Sequence, residues 1–437
     1  MPAQVISYID TPGPDDNDRD LGLRVLTEEK RSTSQGRGLV APNPAVALLK
    51  TPPGAMASPP TITAGTAGGA TDISNSVLIP PDNAAFTYYG SRVAFGPSYP
   101  NTLYYSNVYV FSSSTSAGTY GYARSPFSVE FMWYGADFEL SLKGSSAHYR
   151  LSVDELGYDT RVGRQDYAST GSLYLIKYAF GSAAVRRIRF DFDAPMAFGG
   201  IRIGPNDSLW KTQVPSGPKV AVIGDSFVEG TAAVNAMNTS YEMVGWLLGW
   251  RDVLKTGWGS TGYLANGSGS KTTYRTRLQK DVIDVNPGIV VVTGGINDAG
   301  VAAASLQAEA ILLFSAIRAG LPNAVLIVQG MQNSNGTVAS GTAVQNRDAI
   351  RAAALSVGVD LYIEEIGGPY PYSGTIGNYT DVGWMTGAGK VGTTTGSGNS
   401  DIFREADGTH PTLAGHDYRG YRAAQAIAAA MPILGAS

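Results

Sequence analysis

The stretch SGPKVAVIGDS (residues 216–226) marks a change of architecture in this chain. Its run VAVI is apolar without alternation, which is typical of a strand buried on both faces of a parallel sheet. Similar runs follow in DVLKTGW, GIVVVTGG, AVLIVQG and VDLYIEEIG. Helical patterns separate the runs, at roughly 241–250, 273–284, 302–319 and 339–357, and one more follows His410. The alternation predicts an α/β domain over 211–437, with a parallel sheet between two helical layers.

Residues 76–210, upstream of that stretch, read as strands. This region contains segments rich in aromatic and β-branched residues, such as FSVEFMWYGADFELSLKG, SLYLIKYAF and VRRIRFDFD. Apolar and polar residues alternate in parts of them, and turn residues separate them. Short strands at this spacing predict an antiparallel β-sandwich, jelly-roll-like in type. Because aromatic-rich sandwiches often present sugar-stacking surfaces, this domain is a candidate carbohydrate-binding domain.

Residues 1–75 differ from both domains. The stretch APNPAVALLKTPPGAMASPP is rich in Pro, Ala and Gly and has no sustained period of 2 or 3.6. We expect an irregular arm, either a flexible leader or a segment that becomes ordered against a partner. The N-terminus lacks the basic and apolar regions of a secretory signal, and no apolar run is long enough to span a bilayer. We therefore expect a soluble protein, with its compartment left undetermined.

Charge and cysteine content exclude several classes of function. The formal net charge is −4 and no long basic run is present, so the electrostatic footprint of a nucleic-acid-binding protein is missing. The chain has 0 cysteines, which excludes disulfides and thiolate metal ligands. No His–Glu cluster has metal-ligand spacing, and the sequence predicts no cofactor.

Polar residues stand at the carboxyl ends of the predicted strands, where ligands bind in open α/β sheets. The first strand ends in Gly-Asp-Ser226, and the third ends in GGIND, which contains Asn297. The loop before the last helix reads DGTHP, with Asp407 and His410 three residues apart. These residues are expected to lie close together at one edge of the sheet.

Those residue types suit nucleophilic catalysis. A serine becomes a nucleophile when a base takes its proton and a third group orients that base. Asp407 can hold one ring nitrogen of His410 and leave the other to face Ser226, as in a serine triad. The developing oxyanion then needs hydrogen-bond donors, for which the Ser226 N–H, the Asn297 amide and an N–H of the Thr256–Gly262 loop are candidates.

The same residues carry a resemblance to a known family. VIGDSFVEGT, KTGWGSTGY, TGGIND and DGTHPTLAGH resemble the nucleophile, glycine, asparagine and aspartate–histidine blocks of the SGNH (GDSL-like) hydrolases, in the family's order. The resemblance covers about residues 217–432 and implies a flavodoxin-like three-layer fold. It also implies site roles: Ser226 as the nucleophile, His410 as the general base, Asp407 as its orienting group and Asn297 as an oxyanion donor.

The glycine block departs from the family pattern. Ser260 aligns with the family's oxyanion glycine, and Gly259 precedes it, so both are candidate donors through their backbone N–H groups. His416, inside the last helix, is expected to be structural, and His148 in the β region has no predicted role. The segment 368–400, with Tyr370, Tyr372, Tyr379 and Trp384 among its residues, is either a substrate-facing rim or a surface loop.

The resemblance implies a cofactor-independent serine esterase. A β-sandwich before an SGNH domain is similar to the layout of family 2 carbohydrate esterases, which implies O-deacetylation of a polysaccharide or hydrolysis of a small ester. The alternative is a virion-associated or adhesive glycan-binding protein, homo-oligomeric or docked through its arm, with a retained or decayed esterase site. Acyl transfer to a sugar stays open, as do the acyl group and the glycan.

Overall fold

The structure is a computed structural model that describes residues 23–25, 49–50, 54–65, 68, 70–90, 92–96, 105–109, 127–158, 165–193, 197–233, 236–269, 271–332, 341–366 and 383–434. In chain order the strands are β1 (Leu23–Val25), β2 (Thr61–Ala64), β3 (Val77–Ile79), β4 (Thr87–Tyr89), β5 (Arg92–Gly96), β6 (Tyr105–Tyr109), β7 (Phe127–Val153), β8 (Leu156–Gly157), β9 (Gln165–Asp193), β10 (Ala197–Ile203), β11 (Ser208–Trp210), β12 (Lys219–Gly224), β13 (Asp252–Gly257), β14 (Ile289–Thr293), β15 (Val325–Gln329) and β16 (Leu361–Ile363). The α-helices are α1 (Ser226–Glu229), α2 (Ser240–Leu248), α3 (Tyr274–Asp281), α4 (Ala303–Gly320), α5 (Thr342–Val357), α6 (Ser400–Phe403) and α7 (Leu413–Leu434).

The chain divides into two compact units. The α/β unit takes the described residues of Met1–Thr51, Ser216–Val234 and Asn238–Ser437, and the β unit takes those of Pro52–Pro215 and Asn235–Met237. Each unit has a sheet and a hydrophobic core of its own.

The sheet of the α/β unit has the order β1-β16-β15-β14-β12-β13. All pairs from β16 to β13 are parallel, and β1 joins β16 antiparallel. Along the chain the parallel strands therefore take the flavodoxin-like order 2-1-3-4-5. The predicted parallel sheet is confirmed, because β12, β14 and β15 are the apolar runs on which that prediction depended.

Alternate residues of the central strands pack on opposite helical layers. Ala221 and Ile223 of β12 pack in one core with residues of α3, α4 and α5. Val220 and Val222 pack in another core with residues of α2 and α7. Since both faces of the strand are covered, its sequence is continuously apolar instead of alternating.

The order of the strands also determines where a site can form. The connection from β12 leads to β13 on one side, and β14 then adds on the other side of β12. The crevice at the carboxyl ends of such strands is the usual ligand site of doubly wound sheets. Ser226 follows β12 there, and Asn297 follows β14.

The β unit is built around two long antiparallel strands. β7 has 27 residues and β9 has 29, so segments that the sequence indicates as separate strands are continuous. Phe192 of β9 pairs with both Phe127 and Tyr149 of β7, because β7 returns along the other edge of β9. Its core is aromatic, with Phe131, Trp133, Phe138, Tyr178 and Phe190 fully buried. The antiparallel sheet is present, and the sandwich stays a prediction.

Two segments of the predicted irregular arm are strands. β2 pairs with β9, and β1 pairs with β16. The segments TITA (β2) and LRV (β1) are too short to show a periodic pattern in the sequence. Each forms a strand by pairing with the edge of a partner strand. Most of the arm lies outside the described residues, as do Tyr370, Tyr372 and Tyr379.

Candidate active site

Ser226 begins the short helix α1 directly after β12. Asp225 caps that helix, because its carboxylate accepts the Phe227 N–H at 3.0 Å. The left-handed Gly230 ends the helix with φ +89°. This tight strand-to-helix turn leaves Ser226 8% exposed, at the carboxyl edge of the sheet.

Ser226, His410 and Asp407 form one hydrogen-bond chain. His410 Nε2 lies 2.8 Å from Ser226 Oγ, and His410 Nδ1 lies 2.6 Å from Asp407 Oδ2. With its proton on Nδ1, the imidazole accepts the Ser226 hydroxyl proton through Nε2. The chain therefore has the connectivity that lets a histidine act as a base towards a serine.

The loop that carries Asp407 and His410 is held by its own backbone. Asp407 Oδ1 accepts the N–H groups of Thr409 at 2.8 Å and His410 at 3.0 Å. Arg404 Nε donates to the Gly408 carbonyl at 2.8 Å. Burial raises the pKa of Asp407, but hydrogen bonds from the His410 ring and these N–H groups outweigh it, so the net pKa lies below the usual value. Asp407 is thus an anion that orients His410.

Aromatic packing supports the imidazole. The rings of Phe227 and His410 have centroids 5.5 Å apart. The Arg419 guanidinium lies 4.7 Å from the centroid of Phe227, and it also pairs with buried Glu365. Phe227, the residue after Ser226, therefore links the histidine to the buried Arg419–Glu365 ion pair.

Asn297 and Asp298, which follow β14, bind the glycine-block loop. Asn297 Nδ2 donates to the Thr261 carbonyl at 3.0 Å. The buried Asp298 carboxylate accepts the N–H groups of Tyr263, Leu264 and Ala265 at 2.8–3.0 Å. The structure thus brings Asn297 to the predicted loop. The sequence assigns no role to Asp298, because its contacts reach backbone groups 33–35 residues away.

The two candidate donors of the glycine block differ. The Gly259 N–H donates to Glu229 Oε2 at 2.6 Å and is already engaged. The Ser260 N–H donates no hydrogen bond within the part of the chain that the structure describes. Ser260 has φ +64°, a left-handed conformation that costs a residue with a Cβ about 1–2 kcal/mol.

Arg277 of α3 supports the strand ends that carry the site. The sequence did not indicate this role. Its buried guanidinium donates to the Gly224 carbonyl at 2.6 Å, to the Thr256 carbonyl and to Asp281 at 3.0 Å. It thereby ties together the ends of β12 and β13, from which Ser226 and the glycine block emerge. The sequence shows only an arginine within a helix, and its contacts depend on tertiary packing.

Asp225 is the most perturbed acid beside the serine. Its Oδ1 accepts the Phe227 N–H, and its Oδ2 is buried without a hydrogen-bond partner among the described residues. Burial raises its pKa to about 7, although the Phe227 hydrogen bond opposes the shift. A carboxyl with a raised pKa binds its proton more tightly in the folded state, so stability falls as pH rises from about 4 to about 7.

Replacing Asp225 with asparagine should reduce this pH dependence. The new side-chain amide keeps an acceptor for the Phe227 N–H but does not titrate. Between pH 5 and pH 8 we expect the wild type to lose roughly 2–3 kcal/mol more of its free energy of unfolding than Asp225→Asn. Urea unfolding at both pH values measures the difference, with the exposed Asp284→Asn as control. An equal pH dependence in wild type and Asp225→Asn would contradict the assignment.

His416 does not join the site. His416 is fully buried between Ser240 Oγ at 3.1 Å and the Thr231 carbonyl at 2.9 Å, and burial lowers its pKa to about 3. It is thus a neutral structural histidine, as predicted. The side chain of His148 lies outside the described residues. Trp384 is 1% exposed and packs in the core, so it is not part of a rim.

Neither a metal-ligand cluster nor a membrane-spanning helix occurs among the described residues. These residues contain no group of three or more His, Asp or Glu side chains placed to hold a metal ion. No helix within them is long and apolar enough to cross a bilayer.

Comparison with known proteins gives matches to solved structures alone. No family model and no curated sequence matches the chain. A family two carbohydrate esterase from Clostridium thermocellum in complex with cellohexaose is 16% identical, with a TM-score of 0.51 over 80% of this chain and 99% of its own. An acetyl xylan esterase from Butyrivibrio proteoclasticus is 12% identical, with a TM-score of 0.50 over 86% and 99%.

A third similar structure has another activity. A salicylyl-acyltransferase from a tetracycline biosynthetic pathway is 13% identical, with a TM-score of 0.55 over 81% of this chain and 97% of its own. At such identities the likeness concerns the fold. The chain therefore has the fold of the SGNH (GDSL-like) carbohydrate esterases, as its sequence blocks predict.

Proposed function

We propose that this protein is a serine esterase that removes acyl groups, acetyl above all, from a polysaccharide. The observation that carries the proposal is the hydrogen-bond chain from Ser226 Oγ through His410 to Asp407. It lies at the carboxyl edge of a doubly wound sheet, where such folds bind ligands. The fold shared with carbohydrate esterases supports the same conclusion.

The mechanism has two acyl-transfer steps. Ser226 Oγ attacks the ester carbonyl while His410 takes its proton, and the imidazolium then protonates the departing sugar oxygen. Water, deprotonated by His410, attacks the acyl-enzyme and releases the acid and the serine. Asp407 stays ionised and stabilises the imidazolium. The chemistry needs no cofactor.

The tetrahedral intermediates carry an oxyanion that needs donors. The Ser226 and Ser260 N–H groups and the Asn297 amide are the proposed donors. The Gly259 N–H is a weaker candidate, because Glu229 already accepts it. Asn297 Nδ2 carries two protons, and its hydrogen bond to Thr261 uses one of them.

Replacing Asn297 with alanine should therefore lower kcat by about 10²- to 10³-fold. KM should change little, because the ground-state ester carbonyl carries less charge than the oxyanion. Steady-state hydrolysis of 4-nitrophenyl acetate measures both constants, with the exposed Asn323→Ala as control. A variant that loses activity through KM alone would argue against Asn297 as an oxyanion donor.

Ester hydrolysis and covalent labelling of the serine test the proposed esterase function. Wild-type protein should release acetate from 4-nitrophenyl acetate and from an O-acetylated polysaccharide. A fluorophosphonate should add to Ser226 stoichiometrically, as seen by peptide mass spectrometry. Absence of both ester turnover and labelling would contradict the esterase proposal. It would favour the alternative, a virion-associated or adhesive glycan-binding protein. Acyl transfer would show instead as acetylated sugar when an acceptor sugar is added.

The β unit is proposed to bind the glycan as a sandwich-type module. Its antiparallel sheet and aromatic core support this assignment, and the exposed Tyr134 and Trp210 could stack on sugars. Ordering of the N-terminal arm on a partner also remains a proposal.

A further inference from the structure

The residues Trp258–Thr261 form a β-turn beside the nucleophile. The Thr261 N–H donates to the Trp258 carbonyl at 3.2 Å, so Gly259 and Ser260 are the central residues. Ser260, the second of them, has φ +64°. A positive φ at this position is the mark of a type II turn, and glycine is the residue that adopts it without strain. Here a serine takes that conformation.

Two side chains of opposite charge bind the peptide groups on either side of Gly259. Glu229 Oε2 accepts the Gly259 N–H at 2.6 Å. Lys271 Nζ donates to the Gly259 carbonyl at 2.6 Å. Charge-assisted hydrogen bonds of this kind are roughly twice as strong as neutral ones. The turn is therefore held on both sides by ionised side chains that are themselves half-buried.

The Lys271 contact determines the direction of the Ser260 N–H. The Gly259 carbonyl and the Ser260 N–H belong to one trans peptide group, in which they point in opposite directions. With the carbonyl turned to the Lys271 ammonium, the Ser260 N–H faces the other side of the turn, where it donates no hydrogen bond to the residues that the structure describes.

The turn lies against the nucleophile. A Cβ built on Gly259 would lie 3.5 Å from the Ser226 Cβ and 2.7 Å from Glu229 Oε2. A side chain at position 259 would therefore displace the Glu229 carboxylate. A flip of the Gly259–Ser260 peptide would exchange the directions of its N–H and its carbonyl oxygen. The carbonyl oxygen would then point to the side of the turn away from Lys271, where the Ser260 N–H now points.

We propose that Glu229 and Lys271 are positioning residues that hold the Gly259–Ser260 peptide in the orientation in which the Ser260 N–H serves as an oxyanion donor. The inference rests on the proposed esterase function and deepens it. A serine at this turn position favours the flipped peptide, in which a carbonyl oxygen would replace the donor. Lys271 offsets that preference by binding the carbonyl, and Glu229 anchors the preceding N–H.

The test is a set of variants assayed for kcat and KM on 4-nitrophenyl acetate. Lys271→Met and Glu229→Ala should each lower kcat about 10- to 100-fold with little change in KM, because a misplaced donor affects the transition state. Glu229→Gln keeps an acceptor for the Gly259 N–H and should recover most of the kcat that Glu229→Ala loses. The exposed Lys280→Met, on α3, is the matched control and should match the wild type.

A second-site variant separates this role from a general structural one. In Lys271→Met/Ser260→Gly, glycine accepts the positive φ without the lysine, so at least half of the lost kcat, on a logarithmic scale, should return. Melting temperatures of all variants show whether any loss of kcat reflects unfolding, and Glu229→Ala serves if Lys271→Met does not fold.

The outcomes distinguish this inference from the esterase proposal. An active wild type with unchanged kcat in Lys271→Met and Glu229→Ala would overturn the positioning role and leave the esterase intact. Loss of kcat without recovery in the glycine double variant would overturn the role of the turn conformation. A wild type inert to both ester and fluorophosphonate would overturn both proposals together.

Discussion

Replacing Ser226 with alanine should lower kcat for ester hydrolysis by about 10⁴- to 10⁶-fold. The variant has no oxygen to form the acyl-enzyme, and His410 loses the hydroxyl that lies 2.8 Å from its Nε2. The measurement is single-substrate kinetics on 4-nitrophenyl acetate and on the acetylated polysaccharide, with active-site titration of the wild type. Fluorophosphonate should fail to label the variant.

Controls separate this loss from a loss of structure. Among the described residues the Ser226 side chain makes one hydrogen bond, so its removal should change the free energy of unfolding by about 1 kcal/mol or less. Ser305→Ala, an exposed serine on α4, should keep full activity. Because members of a triad act together, Ser226→Ala/His410→Ala should cost little more than Ser226→Ala alone. If Ser226→Ala kept more than about 1% of kcat, Ser226 would not be the nucleophile.

The second large effect concerns stability. Arg277→Met should lower the free energy of unfolding by about 3–5 kcal/mol, because it leaves the buried Asp281 without its paired cation. The Gly224 and Thr256 carbonyls lose their donor as well. Activity should fall at the same time, since Gly224 lies two residues before Ser226. Chemical unfolding followed by fluorescence, together with kcat, measures both effects.

The same helix supplies the control for Arg277. Arg275, two residues earlier, pairs with Glu309 at the surface and is 48% exposed. Because the arginine of this pair is largely in solvent, the pair contributes about 0–1 kcal/mol, so Arg275→Met should cost far less than Arg277→Met. Arg277→Met/Asp281→Leu should recover part of the lost stability, because the double variant leaves no unpaired charge. Equal losses in Arg275→Met and Arg277→Met would contradict the role of Arg277 beneath the site.

Much of the fold follows from local patterns. Continuous apolar runs predict buried parallel strands, and the runs at β12, β14 and β15 are such strands. In the β region local patterns do not predict the lengths of the strands, because the length of a strand depends on its pairing with neighbouring strands. The predicted segments SLYLIKYAF and VRRIRFDFD belong to the single strand β9, which pairs with β7. Alternation alone carries no information about where a partner strand ends.

The candidate site divides in the same way. Ser226, Asn297, Asp407 and His410 were identifiable because each belongs to a short block at a strand end or a loop. Glu229, Lys271, Arg277 and Asp298 were not identified, because they act by reaching backbone groups far away in the sequence. Asp298 contacts residues 33–35 positions earlier, and Arg277 contacts Gly224 across 53 positions.

The sequence alone determined the α/β class of the C-terminal region, its buried strands and the residue types that can carry acyl transfer, because apolar periodicity and strand-end polar residues are local properties. Only the tertiary structure decided that Ser226, His410 and Asp407 form one hydrogen-bond chain. It alone showed that Glu229 engages the Gly259 N–H and that Asp225 is buried with a raised pKa. These properties depend on distances, peptide orientation and desolvation, which arise when segments remote in the chain pack together.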